Sequence, residues 1–189
     1  SSSPRRRELI QMLGLPVLTM SSGADESHPP QLSPAEIVKT LSQRKAEEAR
    51  AKLRPQGQQG IVIGADTVVV KNNQILGKPK NEEEAKAMLK LLQGSKHEVY
   101  SGIACMDAEQ GRMNLAHRQT QVWLKPLTDA QIQAYINSGE PMDKAGAYGI
   151  QGLGAVFVDR IEGCYFNVVG LSLSLLSEML SDFGIEVLK

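Results

Sequence analysis

Asp66 is the residue whose type and setting point most clearly to chemistry, because it interrupts an apolar stretch, Ile61–Val70, that is rich in β-branched residues. A carboxylate in such a stretch costs several kcal/mol unless it is paired with a cation or binds a metal. It can hold a divalent cation or accept a proton from water. The alternative is a strand that ends early and leaves Asp66 in solvent. The apolar run resumes at Val68, which favours the functional interpretation.

The first six residues, SSSPRR, combine hydroxyl and guanidinium groups with the start of a predicted helix. Ser3 suits the N-cap and Pro4 the first helical position, which leaves backbone N–H groups at the helix start. Such groups together bind phosphate oxygens. Capping motifs are common, however, and the local pattern alone favours a solvent-exposed helix start without a ligand.

Three further segments carry residues suited to a phosphate ligand. Lys78 lies in Gly-Lys-Pro after a predicted hairpin, and Lys45 lies on a predicted helix. Each lysine taken alone is more typical of a solvent-exposed residue. The segment 143–152, DKAGAYGIQG, mixes charged, aromatic and amide side chains with glycines that allow close backbone approach. A mobile surface loop is the alternative, but Tyr148 and Ile150 argue against full exposure.

Taken together, these segments predict a site for a polyphosphate ester and a metal. The sequence has no P-loop, no nucleophile elbow and no HExxH zinc motif. The glycines of GIQGLG have the wrong order for a dinucleotide fingerprint. The histidines, His28, His97 and His117, lie too far apart in sequence for a short zinc-ligand spacing.

The composition is that of an ordinary globular chain, with 189 residues and 21 Lys+Arg against 21 Asp+Glu. This length predicts a single domain over residues 1–189, with room for two lobes. No apolar run reaches the roughly 20 residues of a membrane span. Zero net charge gives no general attraction to nucleic acid. Two cysteines are too few for a disulfide framework, and no signal peptide is visible, although the sequence begins at Ser1 rather than Met. We therefore expect a cytoplasmic location.

Capping residues, glycines and periodicity locate the expected elements. Ser33 and Glu36 form a capping box, and Asn72-Asn73 is typical of a tight hairpin turn. Helices are predicted over 3–14, 33–53, 81–94, 128–139 and 171–180, and strands over 61–70, 74–76, 97–107, 112–125 and 155–160.

The alternation of these elements predicts an α/β fold, a twisted mixed β-sheet flanked by helices. Residues 61–70 are expected to form a central strand buried on both faces, because the apolar run is nearly continuous. Residues 21–31 are expected to form a loop, and residues 140–154 a glycine-rich segment.

At its chemistry-bearing segments the sequence resembles the Maf family of nucleoside triphosphate pyrophosphatases. The matching motifs are SSSPRR from Ser1, GADT from Gly64, GKP from Gly77 and DKAGAYGIQG from Asp143. SGADES and QRKA fit more loosely. The motifs occur in the family's order, and the resemblance covers essentially the whole chain.

The resemblance implies hydrolysis of a nucleoside triphosphate between its α and β phosphates, which releases a monophosphate and pyrophosphate. It also implies Mg²⁺ or Mn²⁺, a deep substrate cleft and a homodimer. Asp66 takes the place of the catalytic proton acceptor and of a metal ligand, assisted at the metal by Glu26. The residues implied for the triphosphate are Ser1, Arg6, Lys45 and Lys78. In the family a short β-strand usually precedes the first motif, so we expect the geometry of that motif to depend on it.

Three positions, Arg5, Thr67 and Gln151, resemble the pyrimidine-specific branch of the family. The branch that acts on 7-methyl-GTP carries Trp, Gln and Glu instead. The Gln151 amide both donates and accepts hydrogen bonds, which matches the carbonyl and N–H edge of uracil or thymine. A carboxylate would suit a cationic methylated guanine better. The resemblance therefore predicts dTTP and UTP, with modified pyrimidine nucleotides as further substrates.

Two alternatives remain open at this point. A pyrophosphatase for non-canonical purine triphosphates such as ITP or XTP, or for 7-methyl-GTP, is the enzymatic one, and the three branch positions argue against it. The family is also linked to inhibition of cell division, so a regulator that binds a nucleotide or nucleic acid is the second. The presence of Asp66 and Lys78 argues against a family member that has lost its catalytic activity. The zero net charge argues against stable nucleic-acid binding.

Overall fold

The computed structural model describes residues 1–188, and within them five strands form one antiparallel sheet with helices around it. The strands are β1 (Ile61–Lys71), β2 (Gln74–Leu76), β3 (Lys96–Asp107), β4 (Met113–Leu124) and β5 (Val158–Glu162). Their order in the sheet is β2-β1-β3-β4-β5. The predicted α/β class is confirmed. The sheet is antiparallel rather than mixed. For β1 with β2 and β3 with β4 the reason is local, because short turns join these strands and only antiparallel neighbours allow such turns.

The helices begin at the capping residues that the sequence indicates. Ser33 and Glu36 form the predicted capping box, Thr128 and Gln131 form a second one, and Asn81 caps the third helix with its side chain. The α-helices are α1 (Pro4–Gln11), α2 (Pro34–Leu53), α3 (Glu82–Leu92), α4 (Asp129–Asn137), α5 (Tyr165–Val169) and α6 (Leu173–Ser181). None of the helices in residues 1–188 combines the length and the apolar composition needed to cross a membrane.

Strand β1 carries Asp66 and ends in the predicted hairpin. The Asn72-Asn73 turn has φ values of 51° and 61° and returns the chain into β2, which pairs with β1 over Val69–Lys71. Half-buried and buried residues alternate over Ile61–Thr67, and burial is continuous over Val68–Val70. The expectation of burial on both faces is therefore wrong for the first half of β1. The central strand of the sheet is β3.

Some element boundaries differ from the prediction. α1 ends at Gln11, three residues before Gly14, and the last helix begins at Leu173 rather than at 171. α5 was not predicted, because a helix of five residues is too short to show a periodic pattern. The strand predicted over 155–160 begins at Val158, because the preceding residues form a 3₁₀ helix.

The predicted glycine-rich segment is folded, and the predicted loop 21–31 contains no helix or strand. The glycine-rich segment contains three short 3₁₀ helices, which cover Glu140–Asp143, Ala145–Ala147 and Gly152–Phe157. Tyr148 is buried, as the sequence indicated.

The described chain divides into two compact units. The first contains residues 1–66, 101–118 and the described part of 170–189, and the second contains residues 67–100 and 119–169. A core of the first unit is formed by Ala46, Val62, Ala104, Met106 and Ala108. A core of the second unit includes Leu89, Leu92, Val122, Ile132, Tyr135, Tyr148 and Phe157. The predicted deep cleft stays a prediction.

Candidate active site

Two glycines let helix α2 lie directly on the sheet in the first unit. A Cβ atom at Gly64 would come within 2.1 Å of a carbonyl oxygen of α2, and one at Gly102 within 2.4 Å of another. Only glycine therefore fits at either position. This close approach places Lys45 of α2 beside Asp66 of β1. The glycine of the GADT motif thus controls the approach of the lysine to the aspartate.

The Lys45 ammonium joins two carboxylates. Its Nζ donates hydrogen bonds to Asp66 Oδ1 at 2.6 Å and to Glu26 Oε1 at 2.9 Å. The side chains of Lys45 and Asp66 are 17% and 10% exposed, and that of Glu26 is 67% exposed. The buried charge that the sequence singled out is therefore paired with a cation, which offsets its desolvation.

The loop that carries Glu26 is held against α2. Glu48 accepts hydrogen bonds from the Ser22 hydroxyl and from the Gly23 N–H, the latter at 3.1 Å. Arg44 donates to two backbone carbonyl oxygens of the same loop. Neither Arg44 nor Glu48 was identified from the sequence. Their i, i+4 spacing on one helix face, next to the QRKA lysine, is the signal that could have found them.

The start of α1 belongs to the same unit. Ser3 Oγ accepts the N–H of Arg6 at 3.4 Å, so Ser3 is the N-cap as predicted. Arg6 Nε donates to the Gly170 carbonyl oxygen at 2.9 Å. Burial lowers the pKa of the Arg6 guanidinium, while the charges of Asp66 and Glu26 act in the opposite direction. Arg6 is therefore electrostatically coupled to both carboxylates.

The other predicted site residues lie in both units. In the first, Ser1 is exposed and its hydroxyl accepts a backbone N–H two residues further on at 3.2 Å, while Arg5 is half-buried. In the second, Thr67 and Gln151 are half-buried and Lys78 is exposed. The structure brings together Arg6, Lys45, Glu26 and Asp66 in one unit. Their combination with Lys78 and Gln151 into one site stays a prediction.

The second unit joins two of the sequence motifs. The Gly146 N–H donates to the Gly77 carbonyl oxygen at 3.0 Å, so the GKP and DKAGAYGIQG segments touch. Gly146 has a φ of 70°, and a Cβ atom there would come within 3.0 Å of the Val69 side chain. The glycine is therefore required both by its backbone conformation and by close packing. The segment is a packed part of the unit rather than a mobile surface loop.

A buried histidine supports the same segment. His97 Nε2 lies 2.7 Å from the Tyr148 hydroxyl, and the two rings meet edge to face. Burial, with a contribution from the Lys71 charge, lowers the pKa of His97 to about 4. The imidazole is therefore neutral at physiological pH, and it belongs to the core rather than to a metal site. The histidine spacing in the sequence argued against a short zinc motif, and it did not reveal this pairing.

Comparison with known proteins bears on the function of these residues. A family model described as Maf-like protein matches residues 1–183. The chain belongs to the Maf family. A relative from Pelotomaculum thermopropionicum named dTTP/UTP pyrophosphatase is 50% identical over 188 residues, which cover 100% of this chain and 96% of the relative. Relatives of the same name from Desulforamulus reducens and Acetivibrio thermocellus are 49% and 50% identical, and the matches cover 99% and 100% of this chain and 96% of each relative.

A divalent cation, which the Maf resemblance implies, fits the residues present. Mg²⁺ prefers oxygen ligands and usually binds through one or two carboxylates together with substrate phosphates and water. Asp66 and Glu26 supply such a pair, since an oxygen of each lies within 2.9 Å of the same ammonium. Within residues 1–188, no three or more His, Cys, Asp or Glu side chains form a metal cluster. Two carboxylates are within the number that Mg²⁺ commonly takes from a protein.

Proposed function

We propose that this chain hydrolyses dTTP and UTP to the nucleoside monophosphate and pyrophosphate with the help of Mg²⁺ or Mn²⁺. The observation that carries the proposal is the Lys45 ammonium between Asp66 and Glu26, with Arg6 coupled to both carboxylates. A buried acid, a second carboxylate and two cations are the groups that hydrolysis of a phosphoanhydride needs. The names of the relatives supply the substrate.

The triphosphate is held by cations and by the start of α1. Arg6 and Lys45 offer charge-assisted hydrogen bonds to phosphate oxygens, and the N-terminal end of the dipole of α1, a helix of eight residues, favours an anion. Ser1 and Lys78 complete the set that the family motifs imply. The Lys45 ammonium has three N–H donors and uses two of them for Asp66 and Glu26, so a phosphate oxygen binds at the third.

Asp66 acts on the attacking water. When bound, the divalent cation neutralises charge on the phosphate oxygens and makes water more acidic. Asp66 orients a water molecule and accepts one of its protons, while the water oxygen forms a bond to the α phosphorus. The bond from the α phosphorus to the bridging oxygen breaks, and pyrophosphate leaves with that oxygen. Asp66 then returns the proton to solvent. Lys45 fixes the carboxylate through its 2.6 Å contact with Oδ1.

Selection of the base is assigned to Gln151, with Arg5 and Thr67. The amide of Gln151 donates to a carbonyl oxygen of uracil or thymine and accepts from the ring N–H. Cytosine presents the reverse pattern of donor and acceptor at the same edge. A half-buried Gln151 on a packed segment suits this role.

We also propose a cytoplasmic homodimer. The cytoplasmic location is supported by the low cysteine content, since two cysteines are too few for the disulfide framework that is typical of secreted domains. Burial raises the pKa of Cys105 to about 12, so this thiol is unreactive. The homodimer rests on the family resemblance. Light scattering of the purified protein across a concentration series tests it.

The function is tested by pyrophosphate release from dTTP, UTP, CTP, ITP, GTP and 7-methyl-GTP, each with Mg²⁺, Mn²⁺ or EDTA. We expect metal-dependent release from dTTP and UTP, abolished by EDTA. Release from purine nucleotides instead would keep the pyrophosphatase and reject the assigned base selection. No release from any nucleotide would reject the enzyme and favour the nucleotide-binding regulator. Titration with a labelled oligonucleotide at moderate salt tests nucleic-acid binding.

A further inference from the structure

We propose that Tyr135 and Glu140 position Gln151 and thereby fix the preference for uracil and thymine over cytosine. The proposal rests on the proposed function, because it concerns base selection by the same site. Neither residue lies in a family motif quoted above. Both are positioning residues, since they act on the nucleotide through the segment that carries Gln151.

The pair fastens this segment on both sides of Gln151. Tyr135 Oη accepts the Gly149 N–H at 3.1 Å and donates to Glu140 Oε1 at 2.9 Å. Beyond Gln151, Glu140 accepts the Leu153 N–H at 2.9 Å and the Gly154 N–H at 3.0 Å. The backbone two residues before Gln151 and two to three residues after it is therefore tied to one connected pair of side chains.

The glycines of this segment fit the pair. At Gly154, a Cβ atom would come within 2.3 Å of the Gly149 carbonyl oxygen and 2.7 Å of Tyr135 Oη. At Gly152, φ is +67° and a Cβ atom would come within 2.7 Å of Glu140 Oε2. Because side chains at either position would displace the pair, the contact with Tyr135 and Glu140 explains the glycines at 152 and 154.

The pair is itself rigidly placed. Tyr135 is 3% exposed, and its ring meets that of Phe157 edge to face with centroids 4.7 Å apart. Burial raises the pKa of the Tyr135 hydroxyl. This group therefore stays protonated and donates a hydrogen bond to Glu140. Burial alone would raise the pKa of Glu140, but hydrogen bonds from Gly154, Leu153 and Tyr135 outweigh it and lower the pKa. Glu140 is therefore an ionised acceptor at neutral pH.

A fixed backbone matters for a glutamine that reads a base. Uracil and cytosine differ at the Watson–Crick edge by an exchange of donor and acceptor, and rotation of an amide by half a turn exchanges its own donor and acceptor. A loosely held Gln151 can therefore match both bases. Holding the backbone on both sides of Gln151 fixes the position from which its amide approaches the base. From this fixed position only one of the two amide orientations, the one that fits uracil, forms both hydrogen bonds, which disfavours cytosine.

The experiment compares Tyr135→Phe and Glu140→Gln with the wild type. Tyr135→Phe keeps the ring but loses the hydroxyl, and Glu140→Gln keeps the shape but faces one backbone N–H with an NH₂ group. Matched controls are Tyr165→Phe, a tyrosine that is 40% exposed, and Glu162→Gln, whose carboxylate pairs with Arg160 at the surface. kcat and KM are measured for UTP and CTP, which differ only in the base.

We expect the ratio of kcat/KM for UTP to that for CTP to fall by at least about tenfold in both variants and to stay unchanged in both controls. In a Gln151→Ala background, Tyr135→Phe should change the ratio no further. The Tyr135 hydroxyl acts on the base only through the Gln151 amide, and this background already lacks that amide. An equal loss of activity on both nucleotides would overturn the proposal, since a structural defect does not distinguish the bases. A further fall of the ratio in the Gln151→Ala background would also overturn it.

The same variants separate this proposal from the proposed function. If the wild type releases pyrophosphate but its UTP preference survives both changes, only the positioning role is rejected. If the wild type releases none, the proposed function is rejected, and the dissociation constants for UTP and CTP in EDTA then decide the positioning role. The positioning role is supported if the wild type binds UTP more tightly than CTP and Tyr135→Phe does not. It is rejected if both proteins prefer UTP equally, or if the wild type shows no preference.

Discussion

Lys45 Nζ lies 2.6 Å from Asp66 Oδ1, and this ion pair joins the QRKA segment of α2 to the GADT motif of β1. The same ammonium reaches Glu26 at 2.9 Å, so one cation serves two carboxylates and the three side chains keep a net negative charge. An internal cation of this kind stabilises the carboxylates before any ligand binds. If the proposed function holds, this ammonium competes with a divalent cation for the same carboxylate oxygens.

Replacement of Asp66 by Asn is expected to lower kcat at least about 100-fold, because a proton acceptor is lost. The fold should be largely retained, since Lys45 keeps Glu26 as a partner, and we expect the melting temperature to change by less than about 5 °C. Steady-state pyrophosphate release and thermal unfolding check both statements. Asp159→Asn, at an exposed position of β5, is the control. Activity of Asp66→Asn close to that of the wild type would refute the assigned role.

Replacement of Lys45 by Met is expected to strengthen Mn²⁺ binding in the absence of nucleotide by about tenfold, because the competing ammonium is removed from Asp66 and Glu26. The same change should raise KM for dTTP, since a phosphate ligand is lost. Titration of Mn²⁺ followed by electron paramagnetic resonance measures the first effect without any turnover. Lys90→Met, at an exposed ion pair, is the control. Unchanged Mn²⁺ affinity would show that Lys45 and the metal do not compete.

Replacement of Glu48 by Gln is expected to loosen the loop that carries Glu26 and to raise KM. Hydrogen bonds from Lys52, Ser22 and the Gly23 N–H lower the pKa of Glu48 to about 2. A carboxyl group whose pKa is lower in the folded protein than in the unfolded chain stabilises the folded protein at pH values above the unfolded-state pKa. This stabilisation is lost as the pH falls toward the folded-state pKa. The difference in melting temperature between wild type and variant should therefore be constant above about pH 5 and shrink toward pH 2. A difference that does not depend on pH would contradict this account.

His97 is expected to make stability fall as the medium is acidified. The pKa of His97 is about 4 in the folded protein against 6.5 for the free side chain. Between these two pH values the unfolded chain is protonated at His97 and the folded chain is not. Stability is therefore complete above about pH 6.5 and is lost toward pH 4, with about 2 kcal/mol lost between pH 7 and pH 5. Urea unfolding of wild type and His97→Gln at both pH values measures the difference. His28→Gln, in the loop 21–31, is the control, and an equal pH dependence in wild type and His97→Gln would refute the prediction.

Local signals in the sequence determined the elements. The capping box at Ser33 and the turn at Asn72-Asn73 act over a few residues, so they could be read directly and are confirmed. The helix start at Thr128 is confirmed as well, although the capping box there was not predicted. Burial of a carboxylate carries a cost in any fold, so Asp66 could be singled out before its partner was known. The family motifs identified the family. They also suggested a role for Lys45, but not its contact with Asp66.

Only the tertiary structure decided which side chains meet. Asp66 and Lys45 are joined because Gly64 and Gly102 let α2 approach the sheet, and no local pattern encodes that distance. His97 and Tyr148 are separated by 51 positions, yet they share a hydrogen bond in the core. The glycine-rich segment packs against Tyr135 and Glu140 and ends in a 3₁₀ helix, Gly152–Phe157. As a result β5 begins at Val158 and not at the predicted residue 155. Periodicity reports which face of an element is buried, whereas the partner across the core depends on how the elements pack together.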